Sequence, residues 1–260
     1  EAVALTAATE GVNSDINFTF NGTNADMADD LTVTAATVDG DINIISNDAD
    51  VVVTSIVANG DGNVTLTTTD AGDDDDGDVT ITLIAAVDEM IQVDAAGSIN
   101  AAAIDDDKEL MADEVDLDAV DGIGETSRID MEDVTAVDAD TTLAGAASIN
   151  LTNEGDDDIT IVGLNSDVDG FQTVGADGVA ADITFAQTGD GAVDVAGAIA
   201  TNVEGSIDIS VEMNQLMVNA DIEALTATND GTIDLDANSV WDNEMGDIII
   251  GGATIGSQLG

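Results

Sequence analysis

Residues 205–211 read GSIDISV. Ile207, Ile209 and Val211 alternate with Ser206, Asp208 and Ser210, the period-2 pattern of a strand with one buried and one wet face. The glycine in front supplies a turn. The same phrase recurs as GDINIIS (40–46), GNVTLTTTD (62–70), DVTITL (78–83), SINLT (148–152), DITFA (182–186) and GTIDLDANS (231–239). Further alternating runs are INFTF (16–20), LTVTA (31–35), RIDM (128–131), DITIV (158–162), AVDVA (192–196) and DIIIG (247–251). Gly-Asp, Asn-Gly and Asp-Gly pairs punctuate them.

Aligned on this phrase, the repeats start near residues 40, 62, 97, 127, 147, 181, 205 and 231. That spacing suits a β-solenoid (parallel β-helix) coil of about 20–25 residues with loops of variable length inserted at its corners. The alternative is one or two antiparallel β-sandwiches, whose strands alternate in the same way. Only 2% of the chain is aromatic, however, and no proline interrupts a ladder, which favours stacked small aliphatics. The expected organisation is a single elongated all-β repeat domain over residues 1–260. One window, DDDKELMADEVDLDAV (105–120), admits a short helix with Leu110, Met111 and Val115 on one face, although its second half reads as a strand.

The 260 residues carry 56 Asp plus Glu against two cations, Lys108 and Arg128, which sit in unrelated sequence contexts. A net charge of −54 cannot be neutralised internally and calls for salt or bound divalent cations. It argues against nucleic acid, whose phosphates need arrays of Lys and Arg, and against an anionic membrane surface. The absence of Cys removes disulfides, zinc–thiolate sites and thiol catalysis. No apolar run is long enough for a transmembrane helix. The opening EAVALTAATEG has neither a basic start nor an apolar signal core, as in a mature secreted protein or a piece of a longer one.

The phrases GDINIIS, GNVTLTTTD, GSIDISV and GTIDLDANS, with ALTATNDG (224–231) between two of them, resemble the degenerate repeats of filamentous-haemagglutinin-like bacterial surface proteins. The resemblance covers most of the chain and is compositional and periodic. It implies a right-handed parallel β-helix, secretion, and a role in adhesion or surface fibres.

Without His, Cys or Tyr, a Ser or Thr nucleophile lacks its usual base, and no carboxylate pair stands out for glycoside hydrolysis. The expectation is a protein that is not an enzyme. Calcium is the expected ligand, because hard cations take six to eight oxygens from Asp, Asn and backbone carbonyls near glycine turns. The candidate ligands are Asp70, Asp73, Asp74, Asp75, Asp76 and Asp78, then Asp105, Asp106 and Asp107, then Asp156, Asp157 and Asp158. The first group brackets GDDDDGDVTITL (72–83), where Gly72 and Gly77 permit turns, Val79, Ile81 and Leu83 face inward, and Thr80 and Thr82 face water. Any single cluster reads more readily as a solvated acidic loop, the expectation being that at least one of them holds calcium, and none matches an EF-hand.

The rows LTVTAAT (31–37) and VTLTTT (64–69) read as outward strand threonines rather than an ice-binding face. The sequons at Asn17, Asn21, Asn63 and Asn150 permit surface glycans. The single Trp241 reads as a local core contact or an end cap. Both chain ends, AVALTA and DIIIGGATIGSQLG, are strand-like and apolar without a polar cap, which favours pairing with another copy. The expected function is an extracellular structural protein that self-assembles through its β ends into a surface filament or layer under calcium modulation. The alternative is a rod or receptor-binding segment of a large secreted adhesin, with a surface glycan or a host or neighbour-cell ligand as partner.

Overall fold

In the computed structural model of the chain, the described residues are 3–11, 13–22, 30–70, 77–103, 107–142, 147–165, 169–174, 180–201, 205–226, 231–237 and 246–259. They form strands and turns, with no helix among them. The first strands are β1 (Val3–Ala8), β2 (Ile16–Asn21), β3 (Leu31–Thr37), β4 (Ile42–Asn47), β5 (Val51–Ala58) and β6 (Val64–Thr69). Then come β7 (Val79–Ile81), β8 (Ile84–Ala95), β9 (Ser98–Ala101), β10 (Leu110–Ala119), β11 (Gly122–Ile123), β12 (Ile129–Glu132) and β13 (Ala136–Thr141). The next are β14 (Ile149–Glu154), β15 (Ile159–Ile161), β16 (Asp169–Thr173), β17 (Ile183–Thr188), β18 (Val193–Val195) and β19 (Ala198–Thr201). The last are β20 (Ile207–Val211), β21 (Leu216–Val218), β22 (Ile222–Thr226), β23 (Ile233–Ala237), β24 (Ile248–Ile250) and β25 (Ile255–Leu259).

Each strand pairs in parallel not with its neighbour in sequence but with the strand one coil further on, so the architecture is a β-solenoid. The register defines two faces. On the first, one inward row runs Val3, Leu31, Val51, Val79, Ile99, Ile123, Ile149, Ile183, Ile207 and Ile233. On the second, Ile16, Ile42, Val64, Ile91, Val115, Val137, Ile161, Val195, Val218 and Ile250 form the matching row. Ten rungs therefore stack at about 4.8 Å spacing. From Leu31 to Val51 a coil takes 20 residues and from Ile149 to Ile183 it takes 34, with the surplus spent at the corners.

The internal members of both rows are fully buried, and burying each aliphatic side chain contributes about 1.5–3 kcal/mol. Among the described residues the core has one aromatic pair, Phe171 and Phe185, which sits on opposite faces of the coil with ring centroids 5.6 Å apart.

A buried hydroxyl ends many of the inward rows and ties the corner that follows. Thr37 Oγ1 donates to the Gly40 carbonyl at 2.8 Å, Ser46 Oγ to Ala49 at 3.2 Å, and Thr68 Oγ1 to Gly77 at 2.6 Å. Thr141, Thr173 and Thr201 bond the carbonyls of Ala147, Ala181 and Gly205 in the same way. Thr37 and Thr68 therefore point inward, a correction to the reading of both threonine rows as wholly outward. A hydroxyl suits these places because a turn carbonyl buried without a donor costs about 1–3 kcal/mol. Glycine is required where corners of successive coils nearly touch: a Cβ on Gly191 would lie 2.0 Å from the Asp157 carbonyl oxygen.

Three further expectations change. The window 105–120 holds β10, whose Leu110, Val115 and Leu117 face inward in register with Ile84, Ile91 and Val93. Its neighbours on both sides are strands, so the ladder overrides local helix propensity. The alternation of DVTITL stops at Ile81, the chain turns at Thr82 and half-buried Leu83, and Ile84 takes the next inward place. Lastly, repeat starts 40 and 62 lie on the second face and the others on the first, so the apparent spacing mixes two series.

Candidate functional site: the carboxylate framework and the terminal rungs

The aspartate just before a strand is a recurrent connector between coils. Asp15 Oδ1 accepts the Asp41 N–H at 3.1 Å, and Asp41 Oδ1 accepts that of Asn63 at 2.9 Å. Asp50 Oδ1 accepts two, from Gly77 at 2.9 Å and Asp78 at 3.0 Å. Asp78 Oδ1 accepts Ser98 N–H at 2.6 Å and its hydroxyl at 2.9 Å. Asp158, Asp182 and Asp221 take the amides of Ala192, Ser206 and Thr254 at 2.9, 2.7 and 2.7 Å. Charge-assisted bonds of this kind are roughly twice as strong as neutral ones. Other aspartates serve the corners, since Asp48, Asp88 and Asp133 adopt φ of 54°, 64° and 59°, a region that Asp and Asn tolerate best after glycine. Burial raises the Asp50 pKa against its two amide bonds, with help from nearby Asp78 and Asp30.

A second group of carboxylates stacks on the outer side of the second face. Asp94, Asp118 and Asp140 are in register on three successive rungs, and Asp116 and Asp138 stand beside them. Asp116 and Asp138 are only 4% and 2% exposed because a strap after β15 folds back over them. The Leu164 N–H bonds Asp138 Oδ2 at 2.7 Å, and the Asn165 amide donates to Asp116 Oδ2 and reaches Met90 Sδ at 3.8 Å. Sequence reasoning missed this group. Its only trace is Asp at alternate positions in VDLDA and VDAD, the same alternation that places Val and Leu inward.

The two cations, far apart in their sequence contexts, come to one place on the first face. Arg128 grips Asp130 with two bonds, Nε to Oδ1 at 2.6 Å and Nη2 to Oδ2 at 2.9 Å. The Asp130 N–H bonds Glu109 Oε2 at 2.8 Å, and Lys108, just before β10, pairs with Glu154 of β14 across the β12 rung. Burial opposes the Lys108 charge, but Glu154, Asp130 and Glu132 outweigh it and raise its pKa above the ordinary 10.5. Arg128 thus serves a carboxylate that the coil buries, Asp130 being 2% exposed, whereas the Glu154 partner of Lys108 is exposed.

The sequence-predicted ligands are dispersed. Asp70 follows β6, Asp78 precedes β7 and is occupied as a connector, and Asp73, Asp74, Asp75 and Asp76 lie outside the described residues. Asp107 is exposed beside Lys108, and Asp105 and Asp106 also lie outside the described residues, as does Trp241. Asp156, Asp157 and Asp158 form the exposed turn between β14 and β15, with Asp158 bound to Ala192. Asp156 shares a shallow groove with Glu132, Asp133, Glu154 and Glu212. Among the described residues no group of three or more carboxylates is placed to hold one metal ion. Among them, too, no helix is long and apolar enough to cross a membrane.

The terminal rungs carry the main exposed apolar surface. Ile248, Ile249 and Ile250 of β24 are 43%, 44% and 54% exposed, and Ile233, Leu235 and Ile255 are half-buried. At the other end Val3 is 37% exposed, with Leu5, Phe18 and Phe20 half-buried. On this side the outward positions of β1 to β6 bear Ala, Thr, Ser, Val, Asn and Ile but no carboxylate, whereas β20 and β23 bear Asp208, Asp234 and Asp236. Burial, then Asp234 and Asp236, raise the Asp208 pKa. No family model, curated protein or solved structure matches the chain, so the reading of its function rests on this geometry.

Proposed function

We propose that this chain is a non-enzymatic structural protein of the extracellular space or cell surface that assembles through its terminal rungs into a filament or layer. The observation that carries the reading is the exposed β24 edge, where Ile248, Ile249 and Ile250 stand beside a strand whose outer backbone groups have no described partner strand. Such an edge is a template for another β-strand. The net charge of −54 keeps the sides of neighbouring rods apart, and calcium bridging acidic corners modulates how closely they pack. The composition, without His, Cys or Tyr, supports a role outside catalysis.

A second reading is favoured by the inward rows, which run unbroken into both terminal rungs. In it the chain is a rod or receptor-binding segment of a larger secreted adhesin. Negative-stain microscopy and light scattering of the purified chain, in EDTA and in millimolar calcium, separate the two. The assembly reading expects fibres or sheets that lengthen with protein concentration and bundle with calcium. A monodisperse rod at high concentration in both buffers overturns it.

A further inference from the structure

The two terminal rungs are complementary to each other, residue by residue, and we propose that a second copy of this chain docks head to tail, its β1–β2 rung on the β23–β25 rung, in one register. This rests on the assembly reading above and specifies its partner and polarity.

Each inward row that leaves the β23 end finds its own continuation at the β1 end. Ile233, Leu235 and Ala237 close the first-face rows, and Val3, Leu5 and Ala7 open them. Stacked in parallel, the pairs are Ile233 with Val3, Leu235 with Leu5, and Ala237 with Ala7. On the second face Ile250 ends the row that Ile16 begins. Ile255, which continues Ile222 and Ile199, reaches the row of Phe18 across the bulge at Phe171. Larger side chains thus meet larger ones, and alanine meets alanine. Every strand remains parallel, as in the pairings within the chain.

Charge selects the same arrangement. Head to tail, the exposed Asp234 and Asp236 come beside Ala4 and Thr6, which are uncharged. Tail to tail, those aspartates would face their counterparts on β23 of the other copy, and like charges on paired strands repel. A head-to-tail contact joins two different surfaces and does not close on a partner, so it propagates into a polar filament. Ten rungs give an axial repeat on the order of 48 Å per chain.

The chain has no cysteine of its own, so engineered pairs read the junction directly. Ala4→Cys and Asp234→Cys change exposed side chains and would place two sulfurs on paired residues of adjoining strands, within the Cα separation a disulfide spans. Under mild oxidation the double variant should form a ladder of covalent multimers. A mixture of the two single variants should give dimers, each single variant alone should not, and the out-of-register pair Ala8→Cys with Asp234→Cys should not. Fibres that persist while Asp234→Cys alone cross-links, or while the Ala4/Asp234 pair does not, overturn the head-to-tail register and leave the assembly reading standing. Loss of fibres in the unmodified chain overturns both.

Discussion

Thr68 offers the sharpest test of how the corners are held. Its hydroxyl donates to the Gly77 carbonyl at 2.6 Å and accepts the Ala96 N–H at 2.9 Å, which joins two coils through one side chain 4% exposed. Valine has the same shape, so Thr68→Val opens no cavity and removes only the hydrogen bonds. The Gly77 carbonyl, in a buried residue, then keeps only the Gly97 N–H at 3.1 Å, and the half-buried Ala96 N–H loses its acceptor, a combined cost of about 1–3 kcal/mol. The expected loss is about 2 kcal/mol. Thr65→Val, on the outward side of the same strand, serves as the control and should shift stability by no more than about 0.5 kcal/mol. Urea unfolding followed by circular dichroism, with an unchanged slope, measures both. If Thr68→Val matches Thr65→Val within error, the buried hydroxyls do not hold the corners and that account of them fails.

Three other outcomes follow from the same geometry. Phe185→Ala empties one side of the only described aromatic pair and should destabilise by about 3–5 kcal/mol, with Phe185→Leu costing much less; equal losses in denaturant melts would contradict the packing. Arg128→Met strands the buried Asp130 carboxylate and should cost about 2 kcal/mol, reduced from a fully buried pair because Arg128 is 44% exposed; the double variant with Asp130→Asn should recover most of it in a double-mutant cycle. Burial raises the pKa of Asp50, Asp208 and Glu125, so the folded state binds their protons more readily than the unfolded state does. Stability from these groups is lost as pH rises through the raised values, so Tm should increase on mild acidification from neutral toward the ordinary carboxylate values of 3.8 and 4.5. Asp208→Asn should shrink that gain, and a gain unchanged by it would remove Asp208 from the account.

The sequence carried the fold wherever one strand lay on one face. GSIDISV and GTIDLDA became β20 and β23 because their alternation matches a straight strand over the core. It was silent at VVVTSIVA, where β5 slips register after Val53, so that inward residues fall at Val51, Val53, Ile56 and Ala58 and no single period survives. The same cause hid the true coil length, because strands of two faces share one phrase. The aspartates of the connectors were visible as residues but not as acceptors, since their partners lie 20 to 34 positions away in the next coil. The meeting of Lys108 with Glu154 on the first face depends on the register of β10, β12 and β14, which no local pattern encodes, whereas Arg128 and Asp130 lie two residues apart at the start of β12.

The strap after β15 bears on how such a rod responds to force. A solenoid pulled from one end can peel open a coil at a time, since each rung holds only its neighbours. Leu164 and Asn165 cross that series: from the rung of β15 they grip Asp138, Asp116 and Met90 on the three rungs before it. Tension that unzips the coils ahead of β8 would then meet four rungs fastened as one block, and a single force peak larger than the rest would mark its release.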